Sequence, residues 1–350
     1  MSKVVIGWDI GGAHVKAVML DSQGRVLRVS QQACALWKGL DRLEDSLQKV
    51  LDLWSLEPNQ SMHVVTMTGE LVDLFENRAQ GVRAIADTVK KYLPQAMFYM
   101  ASQADKSAFV ALVDGKESGI ASMNWHASAQ CLAETYADLS MLIVDIGSTT
   151  CDITVCNAQQ VLANGWTDAE RMASQGLLYT GVVRTPLMAL GPYIEWQQQA
   201  RHIAAEYFAT TADVYRVLQE LPSKHDLADT ADGQDRSLDA SMRRLARMVG
   251  HDLEDGDTIH WRSLAQAFRD KQLNILVNAI QSCTKKSAMQ PQTLTGLGAG
   301  SFLLPEIAHR LGMIYKPASA SILADDPQLK KDAEVCFPAY AVARLWQAWH

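Results

Sequence analysis

The sequence predicts an α/β protein of two domains that begin alike, and three stretches predict it. The first is Val4–Leu20, an apolar run that carries Asp9, breaks at Gly11-Gly12 and resumes after Ala13 and His14 with Lys16 inside it. The second is Leu142–Cys156. Its apolar run reaches Asp145, breaks at Gly147, passes Ser148-Thr149-Thr150 and resumes as an alternating run with Asp152. Branched residues favour extended backbone and glycine admits the dihedrals of a tight turn, so each stretch reads as strand, turn, strand. The third is Thr293–Ser301, TLTGLGAGS, with Gly296, Gly298 and Gly300 between a short apolar segment and the helical run Phe302–Leu311.

Each hairpin sets a carboxylate at a strand end beside a turn that exposes backbone N–H groups. Such a turn can cradle phosphate oxygens, and the carboxylate can hold a magnesium ion directly or through water. The phosphate-binding candidates are Gly11, Gly12, Ala13, His14 and Lys16 in the first hairpin and Gly147, Ser148, Thr149 and Thr150 in the second. Asp9 and Asp145 are the metal candidates. The pair of hairpins with the late glycine turn resembles the phosphate loops of the superfamily of actin, heat-shock ATPases, and acetate and sugar kinases. That resemblance implies two ribonuclease-H-like domains facing a central cleft, with Gly296, Gly298 and Gly300 against the phosphorylated ligand. Ala13 stands where the superfamily often has Thr or Ser, which weakens the case for an ordinary ATP γ-phosphate site.

A chain of 350 residues suits two domains, each with its own core. Its 48% apolar and 20% charged residues are those of a soluble globular protein. A net charge of −7 without a basic stripe gives no support to a nucleic-acid role. No apolar run approaches membrane-spanning length, and Asp9 interrupts the first one, so no signal peptide is expected. The six cysteines show no C-x-x-C spacing and read as buried or free thiols of a cytoplasmic protein. Small molecules are the expected partners, and a homo-oligomer is left open.

Taken in order, the first hairpin continues into a third strand at Arg25–Ser30. A helix follows around Leu40–Trp54, then a strand at His63–Thr68, helical turns at Leu71–Phe75, a helix at Gln80–Leu93, and strands near Met97–Met100 and Ala108–Val113. A helix at Ala127–Ala137 closes the first domain, residues 1–138. This is a ribonuclease-H-like order. The second domain, residues 139–334, repeats the hairpin with a third strand at Gln160–Leu162. It then diverges into helices at Arg201–Leu221, Ser241–Val249 and Arg262–Cys283, with Ser223–Asp239 as a mobile surface loop or lid. The closing helix, within residues 335–350, is expected to pack back on the first domain.

Seven local strings narrow the family: DIGGAHVK, MTGEL, NWHASA, DIGSTTCD, GVVRTP, FATTADVY and TGLGAG. Jointly they resemble the hydantoinase/oxoprolinase-related proteins of the tetrahydromethanopterin-linked one-carbon pathway, among them archaeal synthases of methanofuran biosynthesis. The resemblance implies a transferase that joins a furylmethyl diphosphate to the phenol of a glutamylated tyramine or tyrosine, releasing diphosphate. On that reading both hairpins, Lys16 and magnesium on Asp9 or Asp145 stabilise the leaving group. His14, Glu70, Asp152 and Asp213 are candidate proton acceptors, and Asn124, Trp125 and Arg184 line the substrate. Two other readings stay open: an ATP-dependent kinase or ring-opening amidohydrolase, and a nucleotide-dependent switch without turnover.

Overall fold

The computed structural model describes residues 4–102, 107–287 and 289–350. The first sheet has six strands in the order β3-β2-β1-β4-β5-β6. Along the chain these are β1 (Val5–Ile10), β2 (His14–Leu20), β3 (Val26–Ala33), β4 (Met62–Met67), β5 (Met97–Met100) and β6 (Ala108–Val110). Helices α1 (Asp41–Trp54) and α2 (Arg78–Tyr92) connect them, and α3 (Glu117–Ile120) and α4 (Asn124–Thr135) come after β6. Central β1 runs antiparallel to β2 and parallel to β4. Its side chains alternate: Ile6, Trp8 and Ile10 enter a core with Leu43, Leu47 and Val50 of α1 and Val82, Ile85 and Val89 of α2. Gly7 and Asp9 therefore lie on the opposite face. Leu71–Phe75, expected to be helical, instead forms one 3-10 turn at Gly69–Leu71 and irregular backbone after it. Helix α2 starts only at Arg78, where the Asn77 side chain accepts from the Gln80 N–H at 3.0 Å.

The second half opens with β7 (Ser140–Ile146) and β8 (Cys151–Asn157), and the short β9 (Gln160–Leu162) pairs with β8. Beyond it lie helix α5 (Asp168–Ser174), β10 (Leu177–Leu178) and a separate hairpin of β11 (Tyr193–Trp196) and β12 (Gln199–His202). Next come α6 (Thr211–Leu218), α7 (Leu238–Met248), α8 (Thr258–Lys286), β13 (Thr293–Leu297), α9 (Leu304–Leu311) and β14 (Ile314–Pro317). The second sheet runs β10-β8-β7-β13-β14, repeating around β7 the neighbours that β1 has. The repeat extends to single bonds. The Thr68 N–H donates to the Ile10 carbonyl at 2.9 Å, and the Gly300 N–H to the Ile146 carbonyl at 2.8 Å. The MTGEL turn is thus the first sheet's counterpart of the late glycine turn.

One expectation for the second half changes. Arg201–Leu221 is helical only from Thr211, because Thr210 and Asp213 form a capping box that fixes the helix start there. Ser223–Asp239 is pinned at two points. Asp226 takes a bidentate pair from Arg216, both bonds 2.6 Å, and Asp232 accepts from fully buried Arg244 at 3.0 Å. All six cysteines are free and buried. Among the described residues no helix is long and apolar enough to cross a membrane.

The chain divides into two compact units, Met1–Ser140 with Cys156–Glu170 and Pro317–His350, and Met141–Val155 with Arg171–Lys316. The returning segment carries α10 (Pro327–Val335) and α11 (Phe337–Trp349). Helix α11 lies on the Gly7 face of the first sheet. A Cβ at Gly7 would stand 1.9 Å from the Ala339 carbonyl oxygen, so only glycine lets helix and strand approach this closely. Gly7→Ala should force the helix backbone outward and cost at least ~2 kcal/mol, as overpacking does. Urea unfolding measures this; an unchanged midpoint would mean that α11 is not clamped on β1.

Candidate active site

Hairpin 1 joins β1 to β2 through Gly11-Gly12-Ala13. The Gly11 N–H donates to the His14 carbonyl at 2.9 Å and closes the turn. The tip carbonyls are taken by the chain after β3: Gly12 accepts from the Leu36 N–H at 3.1 Å and Ala13 from the Cys34 N–H at 2.8 Å. The Gly12 and Ala13 N–H groups have no partner among the described residues. A tip whose acceptors are occupied and whose donors are open has the polarity to hold an anion. A Cβ at Gly12 would meet Val72 Cγ1 at 2.7 Å, so a side chain there would have to displace Val72.

Behind this tip the sheet register sets Lys16, Asp9 and Thr66 in one row across β2, β1 and β4. Lys16 Nζ lies 3.9 Å from Asp9 Oδ2. Asp9 Oδ1 and Thr66 Oγ1 are buried without a hydrogen-bond partner among the described residues. Burial pushes the Asp9 carboxyl up and Lys16 opposes it. A buried, half-satisfied carboxylate is costly unless something polar comes to it. A hard cation with oxygen ligands fits that donor set.

Hairpin 2 repeats the turn. The Gly147 N–H donates to the Thr150 carbonyl at 2.8 Å, and the tip carbonyls are again taken by backbone. Gly147 accepts from the Val182 N–H at 3.1 Å, and Ser148 from Val183 at 3.1 Å and Arg184 at 2.8 Å. The Ser148 and Thr149 N–H groups have no partner among the described residues. The bracing loop is fixed at Gly181, whose carbonyl accepts from Thr185, Thr211 and Gln272 at 3.2, 2.9 and 3.0 Å. A Cβ at Gly181 would lie 2.4 Å from the Ser148 carbonyl carbon, and one at Gly298 would lie 2.3 Å from Asp145 Oδ1. The late glycine turn therefore packs against Asp145. Gly300 packs on Ile146 and Val182, and Gly296 on Leu304.

Of the proton-acceptor candidates, two are committed to arginines. Asp213 is fully buried; Oδ1 accepts from Arg216 at 2.9 Å and Arg244 at 2.8 Å, and Oδ2 from the Thr210 N–H at 3.0 Å. Asp152 accepts from buried Arg171 at 2.7 Å. These geometries hold helices and sheet together. His14 stands at hairpin 1 where hairpin 2 has Thr150. Arg184 braces hairpin 2 through its N–H, and its exposed side chain acts electrostatically on the Tyr207 phenol.

Glu70 lies two residues beyond Thr68 and is 1% exposed. Oε1 accepts from Ser122 Oγ at 2.7 Å, and Oε2 is buried without a partner among the described residues. Burial pushes this carboxyl up, with Ser122 acting against the shift. Ser122 itself is a buried non-glycine residue at φ 55°, a strained conformation of the kind that clusters at functional sites. Sequence reading missed Thr66, Ser122, Trp166 and Asp168. The Trp125 and Trp166 rings lie 6.1 Å apart, His126 sits 5.2 Å from Trp166, and the Asn124 side chain accepts from the Trp125 N–H. No local motif marks Trp166 or Asp168. The signal available was the pair of polar residues, Thr167 and Asp168, at a helix start.

The hydantoinase/oxoprolinase family pattern matches residues 61–323. The chain is similar to a protein of Methanocaldococcus jannaschii named (4-{4-[2-(γ-L-glutamylamino)ethyl]phenoxymethyl}furan-2-yl)methanamine synthase, 28% identical over 351 residues that span 99% of this chain and 98% of that one. A protein of Methanococcus vannielii with the same name is 26% identical over 208 residues, 59% of this chain and 91% of its own. Nucleotide-free acetone carboxylase superposes with a TM-score of 0.60 at 12% identity, over 97% of this chain and 70% of that chain. At that identity the likeness is one of fold, and it agrees with two ribonuclease-H-like domains.

The buried carboxylates yield two expected outcomes. Asp213→Ala would take the acceptor from Arg244 Nε, leaving only Asp232 as its carboxylate, and should cost ~3 kcal/mol in unfolding free energy. A loss of activity at full stability would instead make Asp213 a working group. Glu70 is the opposite case. A carboxyl raised by folding stabilises the fold fully below the ordinary carboxylate range and loses that contribution as pH rises through its raised value. Glu70→Gln should therefore raise the melting temperature at neutral pH, with a gain that shrinks on acidification; thermal melts across pH check both.

Proposed function

Because the chain belongs to the hydantoinase/oxoprolinase family, we propose that it is a transferase of cofactor biosynthesis that forms an aryl ether from a furylmethyl diphosphate and a glutamylated phenol. The observation that carries the reading is the pair of tips with occupied carbonyls and open N–H groups, each preceded by a strand-end carboxylate. The names of the two synthases supply the chemistry: a phenoxymethyl link joins a phenol oxygen to a furan-borne carbon.

In the proposed reaction the bond from the furylmethyl carbon to the diphosphate oxygen breaks with its electron pair leaving on the diphosphate. Ring donation spreads the positive charge that develops on the carbon. The phenol oxygen then bonds to that carbon and gives up its proton. Open N–H groups at the tip of hairpin 1 and the Lys16 ammonium would stabilise the charge growing on the leaving oxygen. Asp9 or Asp145 would hold magnesium, which supplies further charge neutralisation when bound. Asp152 and Asp213 are paired with arginines, which leaves His14 and Glu70 as the candidates to accept the phenol proton.

The direct test is mass spectrometry of the products from a furylmethyl diphosphate and a γ-glutamyl tyramine, with diphosphate release monitored in parallel. Excess chelator should stop turnover and magnesium should restore it. Lys16→Ala and Asp145→Asn should each lower kcat about a hundred-fold, ~3 kcal/mol, more than they weaken binding of the phenol. Arg184→Ala should act on KM for the phenol. An absolute need for ATP with ADP as product would reassign the enzyme to a kinase or an ATP-driven amidohydrolase.

A further inference from the structure

The first unit contains a second polar group of residues that the leaving-group chemistry does not use. Five links, two of them along the chain, close it into a ring. Ser122 donates to Glu70, and Trp125 lies three residues beyond Ser122. The Trp125 ring faces Trp166 at 6.1 Å, and buried Asp168 lies two residues beyond Trp166. Asp168 completes the ring by acting electrostatically on Glu70. Arg78 binds Asp168 at 2.9 Å from a half-exposed position, which leaves two carboxylates against one guanidinium. Glu70 Oε2 remains buried without a partner among the described residues. Trp166 and Asp168 come from Cys156–Glu170, the segment that leaves the second unit and returns to the first.

This composition suits an organic cation on a small ring. A carboxylate oxygen with no partner needs a strong donor, and an ammonium offers three. Tryptophan faces attract cations and stack on flat rings. Anions are disfavoured by the carboxylates. The group also adjoins hairpin 1, because a Cβ at Gly11 would approach Thr68 Oγ1 at 3.6 Å and one at Gly12 would meet Val72. Thr68 and Glu70 are two residues apart, at most about 7 Å between Cα atoms, so one single-ring substrate can span them. We propose that Glu70, with Asp168 and the rings of Trp125 and Trp166, binds the primary ammonium of an aminomethyl-furan substrate and makes the enzyme selective for it. The inference rests on the transferase reading, which takes the furan-methanamine half of the ether as the diphosphate-bearing partner.

The test separates the two. Wild-type protein is titrated with 2-furylmethylamine and with 2-furylmethanol, its uncharged counterpart, by tryptophan fluorescence and calorimetry, with no diphosphate or phenol present. The amine should bind at least about tenfold more tightly. Glu70→Gln, shown folded by circular dichroism, should bring the two affinities together, and Asp168→Asn should narrow the gap. Equal affinities in wild type, no amine binding at millimolar concentration, or an intact preference in Glu70→Gln would each overturn the proposal. A preserved amine preference without ether formation would sink the transferase reading and leave this site standing. Equal ether formation from diphosphates with and without the amine would do the reverse.

Discussion

Backbone hydrogen bonding at the two hairpin tips is the constraint on which the site depends. A four-residue turn between strands has few ways to satisfy its carbonyls, and an unsatisfied one would repel any anion brought near. In both hairpins a later loop supplies N–H groups to those oxygens, Cys34 and Leu36 in the first and Val182, Val183 and Arg184 in the second. The bracing loops are in turn overdetermined. Gly181 alone gathers three donors on its carbonyl, one of them from Gln272 in the long helix α8. The donors at the tips thus stay oriented without help from a ligand, the preorganisation that charge-developing reactions reward.

The repeat between the units makes their differences informative. Asp9 and Asp145, Gly11 and Gly147, Ile10 and Ile146 occupy matching places, yet the rows beside them differ. The first unit places Lys16 across from Asp9, whereas Asp152 of the second is turned to Arg171. In the first unit the parallel neighbour of the central strand runs on into Thr68-Gly69-Glu70. In the second it runs on into glycines whose missing side chains admit Asp145 and Ile146. On a common frame, the two units differ in the residues just beyond that neighbour strand.

Much of this frame was legible in the residues because it is local. A strand–glycine–strand pattern declares a hairpin, and a carboxylate before the glycine declares its position at the strand end. The same reading placed Gln160–Leu162 as a short strand and a helix around Leu40–Trp54. It failed where sequence-distant partners decide. Nothing near Asp213 shows that Arg244 will fill its remaining oxygen, and nothing near Glu70 announces Ser122 or Asp168. The polar stretch Ser223–Asp239 reads as a surface loop from its composition and is irregular for most of its length, but composition does not show that its ion pairs reach residues outside it. Composition reports the surface a segment prefers; it does not report which buried charge is waiting for it.

The path of the chain through the units has a bearing on how the protein is made. Helix α11 clamps on β1 at Gly7, but it comes after the whole of the second unit in the chain. During vectorial synthesis the first sheet therefore emerges with α4 alone on the Gly7 face, and the part over β1 stays uncovered until Phe337–Trp349 leaves the ribosome. The second unit has every strand of its sheet by Pro317 and can complete its core earlier. The nascent chain would thus mature in the reverse of its domain order, with its first-made sheet as the stretch most in need of shielding by a chaperone.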